Sequence, residues 1–322
     1  MPTSLPSLLT LGSRGVVTPV SRPSVVEATP NIRQGGIGAQ LKISIQKPLL
    51  KSLALMASVI EARDAYTGGH LWRVSQYCHH LAQAAGLSPE IVFLSRLGGF
   101  LHDIGKISIP DVILGKRGKL TDTEFEVVKT HPTIGATLIQ EHPLGQLALS
   151  AVHQHHEWVN GSGYPERLMG EQISLVARIV SIADAFDALT STRPYRQGVG
   201  AQPAIEALQF EHGSQFDADL LDTFVTVVQN DALGEIVGYS EQGVPMVDCP
   251  TCGPVIAVSR DAKDGDIGHC RVCGGAHRLH REGNTFVVEP TGEIGNAEDL
   301  KPYPETHSID AFISRAPRWV TV

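Results

Sequence analysis

The chain has 322 residues, of which 42% are hydrophobic, so it is long enough for roughly one to three domains with sizeable cores. Its 26 basic and 34 acidic residues give a formal net charge of −8, which argues against a nucleic-acid binder that works by bulk charge. No stretch approaches roughly 18 uncharged apolar residues, and the start of the chain lacks the basic segment of a secretory signal. We therefore expect a cytoplasmic protein without a membrane anchor.

The first part of the chain divides into a tail and a helical domain. Residues 1–48 are rich in proline and glycine without lasting periodicity, which predicts a flexible N-terminal tail. Residues 49–230 show apolar residues at helical spacing almost throughout. Within them, Ser88 precedes a proline at a helix start, and Thr121 with Glu124 forms a capping-box pattern. The sequence predicts an all-α domain over residues 49–230.

The character of the sequence changes after residue 230. Residues 231–243 are polar and contain glycine, which predicts a linker. Short apolar segments over residues 244–290 predict a small β-rich module. Residues 291–322 have a weak pattern and are expected to form an extended C-terminal tail.

Two CxxC pairs, each followed by glycine, lie within the predicted β-rich module. Their cysteines are Cys249, Cys252, Cys270 and Cys273. The 17 residues between the pairs match the spacing of structural zinc sites, in which four thiolates bind one ion tetrahedrally. We expect a zinc ribbon holding one structural zinc ion, with disulfides as the alternative. A protein or, despite the net charge, a nucleic acid could bind its mildly basic face.

A histidine and aspartate constellation lies in the helical domain. His102 and Asp103 stand side by side at the end of an apolar run; an aspartate can bridge two cations, and a neutral imidazole can bind one. A lone His-Asp pair is common at surface helix ends. Here, further candidate ligands occur on separate helical segments, namely His70, His131, His155, His156 and Asp184. Inward-pointing ligands from several helices are what a dinuclear centre in a helical bundle requires.

Asp184 is informative because it interrupts the otherwise apolar run VARIVSIADAF. A carboxylate on a core face is costly unless a positive charge pairs with it. A metal cation would supply that charge, and so would a basic neighbour such as Arg178. The two interpretations are about equal for Asp184 alone, and the surrounding candidates favour a metal.

Seven segments of the chain carry a resemblance to a known family. They are EARDAYTGGHLWRV (61–74), LHDIGKISIPD (101–111), KRGKLTDTE (116–124), HPTIG (131–135), HHEWVNGSGYPERLMGEQI (155–173), ARIVSIADAFDALTSTRPYR (177–196) and GSQFD (213–217). In these segments the chain resembles the HD-GYP group of the HD phosphohydrolase superfamily. The resemblance implies a mainly α HD-type helical bundle with a dinuclear metal site. It also implies a phosphodiesterase that converts cyclic di-GMP to pGpG and GMP.

The resemblance implies roles for individual residues. The metal ligands would be His70, His102, Asp103, His131, His155, His156 and Asp184, and the two metal ions would be iron or manganese. A glutamate that helps some members hold a third metal is replaced here by Tyr66. Asp103 would bridge the two metals, a metal-activated hydroxide would attack the phosphodiester, and Lys106 would contact the phosphate or the nucleophile. Glu61 and Asp64 are expected to orient ligands or cap a helix.

The resemblance also places substrate contacts. Gly163, Tyr164 and Pro165 lie in a glycine-containing loop that permits close approach of a ligand, and the tyrosine offers a hydroxyl and a stacking face. Arg193 and Arg196 would bind phosphate or guanine edges through their forked donors. Turn glycines and surface arginines are the alternatives.

Two positions depart from the family pattern. Asn160 stands where the family has aspartate before GxGYP, and Arg167 stands where GYPxGL has its second glycine. Both lie in the loop that the resemblance assigns to substrate and to GGDEF-domain or other protein partners. Two alternatives therefore stay open: a weak or inactive binding module, and an HD hydrolase for another cyclic dinucleotide or phosphorylated nucleotide. A homodimer is also compatible with the sequence.

Overall fold

A computed structural model gives the fold from residue 45 to residue 321. The residues outside the described set are 1–44, 64–67, 117, 193–196, 254, 257, 284, 302–305, 315, 317–319 and 322. Nearly all of the predicted N-terminal tail is thus outside the description. Residues 43–322 form one compact unit.

Helices dominate the first two thirds of the described chain. They are α1 (Lys47–Arg63), α2 (His70–Ala84), α3 (Pro89–Leu101), α4 (Asp111–Leu114), α5 (Asp122–Val128), α6 (His131–Gln140), α7 (Leu149–Gln154), α8 (Leu175–Thr190), α9 (Ala201–Gln209), α10 (Ala218–Gln229) and, near the C-terminus, α11 (Thr306–Ser314). Short 3-10 turns span Ile104–Ser108, Gly145–Leu147 and Gly170–Gln172. The prediction of a mainly α domain is confirmed. No helix of the described residues is long and apolar enough to cross a membrane.

The predicted helix starts are confirmed by their capping contacts. The Ser88 hydroxyl accepts a hydrogen bond from the backbone N–H of Ile91 at 3.3 Å, and Pro89 opens α3. At α5, the hydroxyl of Thr121 accepts from the N–H of Glu124, and the Glu124 carboxylate accepts from the N–H of Thr121 at 2.7 Å. These side chains satisfy backbone donors that the first helical turn leaves without partners.

Helices α2, α3 and α8 pack against one another at the centre of the helical domain. Gly99 of α3 makes their close approach possible, since a Cβ there would lie 2.9 Å from the Cys78 sulfur and 3.2 Å from the Ser75 Cα, both on α2. His70 begins α2, and His102 follows α3 directly. The tight packing of these two helices therefore sets the distance between two predicted metal ligands.

Small sheets form the C-terminal region. Their strands are β2 (Tyr239–Glu241), β3 (Val244–Pro245), β4 (Val247–Asp248), β5 (Val255–Ile256), β6 (Ile267–His269), β7 (Gly275–Glu282) and β8 (Thr285–Ile294). Strands β6, β7 and β8 form an antiparallel sheet in that order, and β2–β3 and β4–β5 form antiparallel pairs. Two terminal strands, β1 (Ile45–Gln46) and β9 (Val320–Thr321), pair in parallel. The prediction of a small β-rich C-terminal module is confirmed.

Two segments predicted to be extended or linking are packed instead. The extended tail predicted for residues 291–322 is wrong over α11, where Ile309, Phe312 and Ile313 are buried against the core formed by α1 and α3. Their spacing of three and four residues is the helical pattern that buries one face. In the predicted linker, Leu233 and Ile236 are buried in the main helical core. Both segments are short, so their few apolar residues gave only a weak signal.

Candidate metal centre

All seven predicted metal ligands converge at one end of the helical domain. Five elements supply them: His70 begins α2, His102 and Asp103 follow α3, His131 begins α6, His155 and His156 follow α7, and Asp184 lies within α8. Most of these side chains sit at helix termini, where the chain can turn a side chain into a shared cavity without breaking a helix. The fold thus unites residues that are up to 114 positions apart in the sequence.

The ligands fall into two groups joined by Asp103. We call His70, His102 and Asp184 the first half-site, and His131, His155 and His156 the second half-site; within each, the ligand atoms lie within 4.8 Å of one another. Oδ2 of Asp103 lies 3.4 Å from Nε2 of His70 and 3.3 Å from Nε2 of His102. Its Oδ1 lies 3.4 Å from Nε2 of His131. One carboxylate therefore faces both half-sites, as a bridging ligand must.

Hydrogen bonds at Nδ1 set the direction of the buried imidazoles. Three rings donate to the carbonyl three residues earlier in the chain: His102 to Gly99 at 2.8 Å, His131 to Val128 at 2.7 Å and His155 to Val152 at 2.9 Å. A carbonyl oxygen can only accept, so Nδ1 carries the proton in each of these rings. In a neutral ring, Nε2 then presents its lone pair to the cluster, which is the state that binds a metal.

The second half-site is a set of neutral imidazoles. Burial lowers the pKa of His131, burial together with the charge of neighbouring His156 lowers that of His155 well below its usual value, and burial lowers that of His156 to about 3. Nε2 of His131 and Nε2 of His155 are only 3.1 Å apart. With both rings neutral and both Nδ1 atoms protonated, two lone pairs face each other there. A cation between them would remove that conflict, so the residues fit a metal ion.

The first half-site combines two histidines with carboxylates. Burial lowers the pKa of His102, but Asp103 and Asp184 outweigh it and raise the value to about 10. Burial raises the pKa of Asp184, yet hydrogen bonding and charge from His102 hold it far below its usual range. Asp184 Oδ1 lies 3.6 Å from Nε2 of both His70 and His102. Mixed imidazole and carboxylate donors suit first-row divalent metals.

Arg178 does not neutralise Asp184, although the sequence offered that alternative. It forms a salt bridge with Asp217, the N-cap residue of α10. The side chains that contact Asp184 are the histidines of the first half-site. The metal-ligand interpretation of Asp184 is therefore favoured by its surroundings.

Lys106 lies at the edge of the centre, in the turn that follows α3. Its Nζ is 2.6 Å from Oδ2 of Asp103, and its side chain is 21% exposed. Burial raises the pKa of Asp103, but Lys106 and His102 outweigh it and hold the pKa well below its usual range. Gly105 permits this turn, because a Cβ there would lie 1.9 Å from the carbonyl oxygen of His131. Lys106 is thus placed to reach both the bridging carboxylate and an incoming anion.

Sequence reasoning missed two residues that support His70. Asp187 is fully buried, and its Oδ2 accepts a hydrogen bond from Nδ1 of His70 at 2.8 Å. Arg73 holds the same carboxylate through Nε at 2.6 Å and Nη2 at 3.0 Å. A carboxylate on the far nitrogen fixes the tautomer of a metal-binding histidine and strengthens it as a ligand. The signal was available, since Asp187 follows Asp184 by one helical turn and Arg73 follows His70 by one turn.

The glycine-tyrosine-proline loop contacts the second half-site directly. The Tyr164 ring stacks on the His156 ring with centroids 4.8 Å apart, and the Tyr164 N–H donates to the His156 carbonyl at 3.1 Å. Gly163 fits because a Cβ there would lie 2.5 Å from the carbonyl oxygen of His156. Glu157, a further residue that sequence reasoning missed, holds the loop by accepting from the N–H groups of Glu166 and Leu168 at 2.6 and 2.9 Å.

The loop's backbone accommodates Asn160 and places Arg167 in a conformation that favours glycine. Oδ1 of Asn160 accepts from the backbone N–H of Ser162 at 2.9 Å, a contact that an aspartate would also make. Arg167 has φ of 58°, in the left-handed region that favours glycine, which accounts for the glycine of the family pattern. Arg167 lines, with Lys129, Thr130, Tyr164 and Pro165 among others, a groove of about 900 Å³.

Several predicted residues need separate mention. Arg193 and Arg196 lie outside the described residues, as do Tyr66 and Asp64. Glu61 accepts a hydrogen bond from the N–H of Leu71 at 2.9 Å, which is the capping role expected for it.

The four cysteines form a second cluster. Their sulfurs lie within 4.8 Å of one another, with 3.8 Å between Cys249 and Cys273 and 3.4 Å between Cys252 and Cys270. A disulfide needs about 2.05 Å, so the disulfide alternative is not realised. Gly253 and Gly274 follow the pairs at φ of 83° and 73°, and their N–H groups donate to the carbonyls of Cys249 and Cys270 at 2.8 Å. The two turns are alike, as in a closed tetrahedral zinc site.

Comparisons with known proteins agree with this geometry. The HD domain family matches residues 54–220, more than half of the chain. The chain is 41% identical over 177 residues to the cyclic di-GMP phosphodiesterase response regulator RpfG of Xanthomonas campestris pv. campestris (54% of this chain, 47% of the relative). It is 39% identical over 186 residues to the cyclic di-GMP phosphodiesterase PA4108 of Pseudomonas aeruginosa (57% and 45%). It is 34% identical over 185 residues to the 3'3'-cGAMP-specific phosphodiesterase 1 of Vibrio cholerae (57% and 43%). The chain spans about half the length of these curated relatives.

Proposed function

Because the chain belongs to the HD domain family and carries the motifs of its HD-GYP group, we propose that it is a metal-dependent phosphodiesterase acting on cyclic di-GMP. The products would be pGpG or GMP. The observation that carries the proposal is the placement of Asp103 between two sets of metal-ligand side chains. A phosphodiester carries charge on its oxygens, and a site with paired cations is suited to neutralise it.

Iron or manganese would occupy the centre, held by the two half-sites and bridged by Asp103. Such ions, when bound, polarise the phosphodiester and lower the pKa of the attacking water. The protein's part is to hold the imidazoles in one orientation with Nε2 toward the cluster, which the Nδ1 hydrogen bonds of His102, His131 and His155 do.

Two residues beside the proposed ligands would act on the substrate. Lys106 carries its ammonium group beside Asp103, where it can donate to a non-bridging phosphate oxygen. Burial raises the pKa of Tyr164, so its hydroxyl keeps its proton at neutral pH and can donate a hydrogen bond. The stacking of the Tyr164 ring on His156 of the second half-site supports this role.

The groove beside the loop would receive the rest of the dinucleotide. Nζ of Lys129 lies 5.7 Å from the centre of the Tyr164 ring and pairs with Glu126 of the same groove at 2.6 Å, and Arg167 adds a second cation to that wall. Cations on a groove of about 900 Å³ suit a ligand with two phosphates and two bases. The exposed side of this loop is also the surface we propose for a GGDEF-domain or other protein partner.

The cysteine cluster would hold one structural zinc ion. Four sulfurs within 4.8 Å of one another form a closed donor set that leaves no position for substrate. A module with a core as small as Val247, Ile256, Leu279 and Phe286 gains folding free energy from such an ion.

A second cyclic dinucleotide is the alternative that one observation favours. The 34% identity to a 3'3'-cGAMP-specific enzyme covers 57% of the chain, a share similar to the 54% covered by the match to a cyclic di-GMP enzyme. The two substrates differ only in one purine base, so the metal centre would serve both.

The test is hydrolysis by anaerobically purified protein loaded with iron or manganese. Cyclic di-GMP and 3'3'-cGAMP are incubated separately, and the products are resolved by chromatography. We expect pGpG or GMP from cyclic di-GMP, at a rate that falls by roughly three orders of magnitude in Asp103→Ala because both half-sites lose their shared ligand.

The matched control is Asp222→Ala, which removes an exposed carboxylate and should leave turnover unchanged. No product from metal-loaded protein would contradict the proposal and favour a binding module. Faster turnover of 3'3'-cGAMP than of cyclic di-GMP would replace the proposed substrate.

A further inference from the structure

Arg73 is a buried cation whose donors all contact acceptors, and two of those acceptors, Tyr239 and Met246, come from outside the HD domain match. Its Nε and Nη2 donate to Asp187 and Ser191. Its Nη1 donates to the Gly68 carbonyl at 2.8 Å and to the Tyr239 carbonyl at 3.0 Å. A guanidinium has five N–H groups, and within the HD domain match only four acceptor contacts are found for them among the described residues, so the set is completed by the residues beyond it, Tyr239 and Met246. The match to the HD domain family ends at residue 220.

The β2–β3 hairpin lies directly on the start of α2. A Cβ on Gly69 would lie 2.2 Å from the carbonyl oxygen of Ser240, and Gly69 has φ of 73°. Met246, just after the hairpin, places its sulfur 2.9 Å from Nη1 of Arg73. Because His70 is the next residue after Gly69, the hairpin contacts the backbone that carries a metal ligand.

Both cysteine knuckles also contact the helical domain. Arg271, between Cys270 and Cys273, donates to the carbonyl of Ala62 near the end of α1. Asp248, next to Cys249, accepts from the hydroxyl of Thr192 at 2.9 Å. Ala62 lies eight residues before His70, and Thr192 immediately precedes the segment with the two predicted substrate arginines.

We propose that the cysteine module braces the first half-site, so that loss of its zinc weakens metal binding at His70 while leaving the second half-site intact. The link runs from the knuckles through Arg271 to Ala62 and through Asp248 to Thr192, and from the hairpin through Arg73 and Asp187 to His70. The second half-site has no contact of this kind among the described residues, because its histidines are held by carbonyls of their own helical segments and by the Tyr164 loop. The inference rests on the proposed metal centre, and it does not depend on which substrate is cleaved.

The positioning residues in this link are Arg73, Arg271 and Asp248. None is proposed to touch the substrate. Losing the support of a metal-binding histidine typically weakens metal affinity about 10- to 100-fold. The expected signature is therefore selective: one of two metal-binding steps weakens, and the other does not.

The test measures the affinities of the two manganese-binding steps by titration of the full chain. The zinc content of each variant is measured separately. The variants are Cys252→Ser with Cys273→Ser, which removes the zinc, and Arg271→Ala, which keeps the zinc but breaks the contact to Ala62. Arg278→Ala is the matched control, since that exposed arginine donates within the module, to the carbonyl of Gly265. We expect about 10-fold weaker binding in one manganese step for the cysteine variant, a smaller shift of the same step for Arg271→Ala, and no shift for Arg278→Ala.

Three results would overturn the inference. They are unchanged titrations in a folded, zinc-free cysteine variant, an equal loss in both manganese steps, and, should the cysteine variant fail to fold, an unchanged titration of Arg271→Ala. Wild-type protein that binds no manganese would instead refute the proposed metal centre itself. Wild-type protein that binds two manganese ions without hydrolysing cyclic di-GMP would refute only the proposed substrate, and the selective shift would still be expected.

Discussion

The two half-sites of the metal centre are supported in different ways. In the second half-site, His131 and His155 donate to carbonyls three residues earlier, so each ring is oriented by its own segment of chain. In the first half-site, His102 is held in the same way by Gly99, but His70 is oriented by Asp187, which is 117 residues away and is held in turn by Arg73. Local support forms wherever the helix end forms. Distant support exists only once the whole domain has folded.

The contacts that hold a metal ligand can therefore be changed without changing the ligand itself. A mutation that removes the support of His70 by Asp187 should affect the first half-site. A change in the turn at Gly105, which packs against the His131 carbonyl, should affect the second half-site. The two half-sites can therefore be perturbed independently without touching any metal ligand.

Among variants expected to weaken one half-site and spare the other, Asp187→Asn should have the largest effect. The amide cannot hold His70 with a full negative charge, and it leaves the buried Arg73 without its counter-charge. We expect one manganese step to weaken about 10- to 100-fold and the free energy of unfolding to fall by about 3 kcal/mol. Manganese titration and denaturant unfolding measure the two effects.

Asp222→Asn, which changes an exposed carboxylate, is the control for Asp187→Asn. It should change neither manganese affinity nor the free energy of unfolding. Equal weakening of both manganese steps would contradict the independence of the half-sites.

A smaller effect, on the opposite half-site, is expected from Gly105→Ala. The added Cβ would lie 1.9 Å from the carbonyl oxygen of His131 and 2.6 Å from the N–H nitrogen of Gly135, so α6 must shift. Such overpacking typically costs about 1 to 3 kcal/mol. We expect that loss in thermal or denaturant unfolding, together with weaker binding in the manganese step that Asp187→Asn leaves unchanged.

Gly118→Ala is the matched control, because a Cβ there meets nothing within 4 Å. A Gly105→Ala variant with wild-type stability and both manganese steps intact would contradict this prediction, because the turn would then accept the added Cβ without moving α6.

The ligands of both half-sites could be predicted from the sequence, but the support of His70 was not. Histidines and aspartates at the ends of separate helical segments form a recognisable pattern, and the family resemblance supplied the set. Arg73 and Asp187 look like an ordinary ion pair in sequence, and only the packing of α2 against α8 shows what they hold. Their one-turn spacing from His70 and Asp184 is the signal that sequence reasoning could have used.

The same contrast applies to the fold. The long helices and their caps were predictable because each carries several turns of apolar periodicity and local capping residues. Helix α11 and the segment around Leu233 and Ile236 were not, since each contributes only two or three apolar residues to a core built elsewhere. Short segments of this kind acquire their structure from the surface on which they pack.

The measurement that tests the account most directly is the location of metal ions by anomalous scattering in crystals of manganese-loaded protein. The account predicts two manganese peaks in the helical domain, one on each side of Asp103, and one zinc peak among Cys249, Cys252, Cys270 and Cys273. A single peak in the helical domain, or peaks away from the two half-sites, would contradict the dinuclear centre.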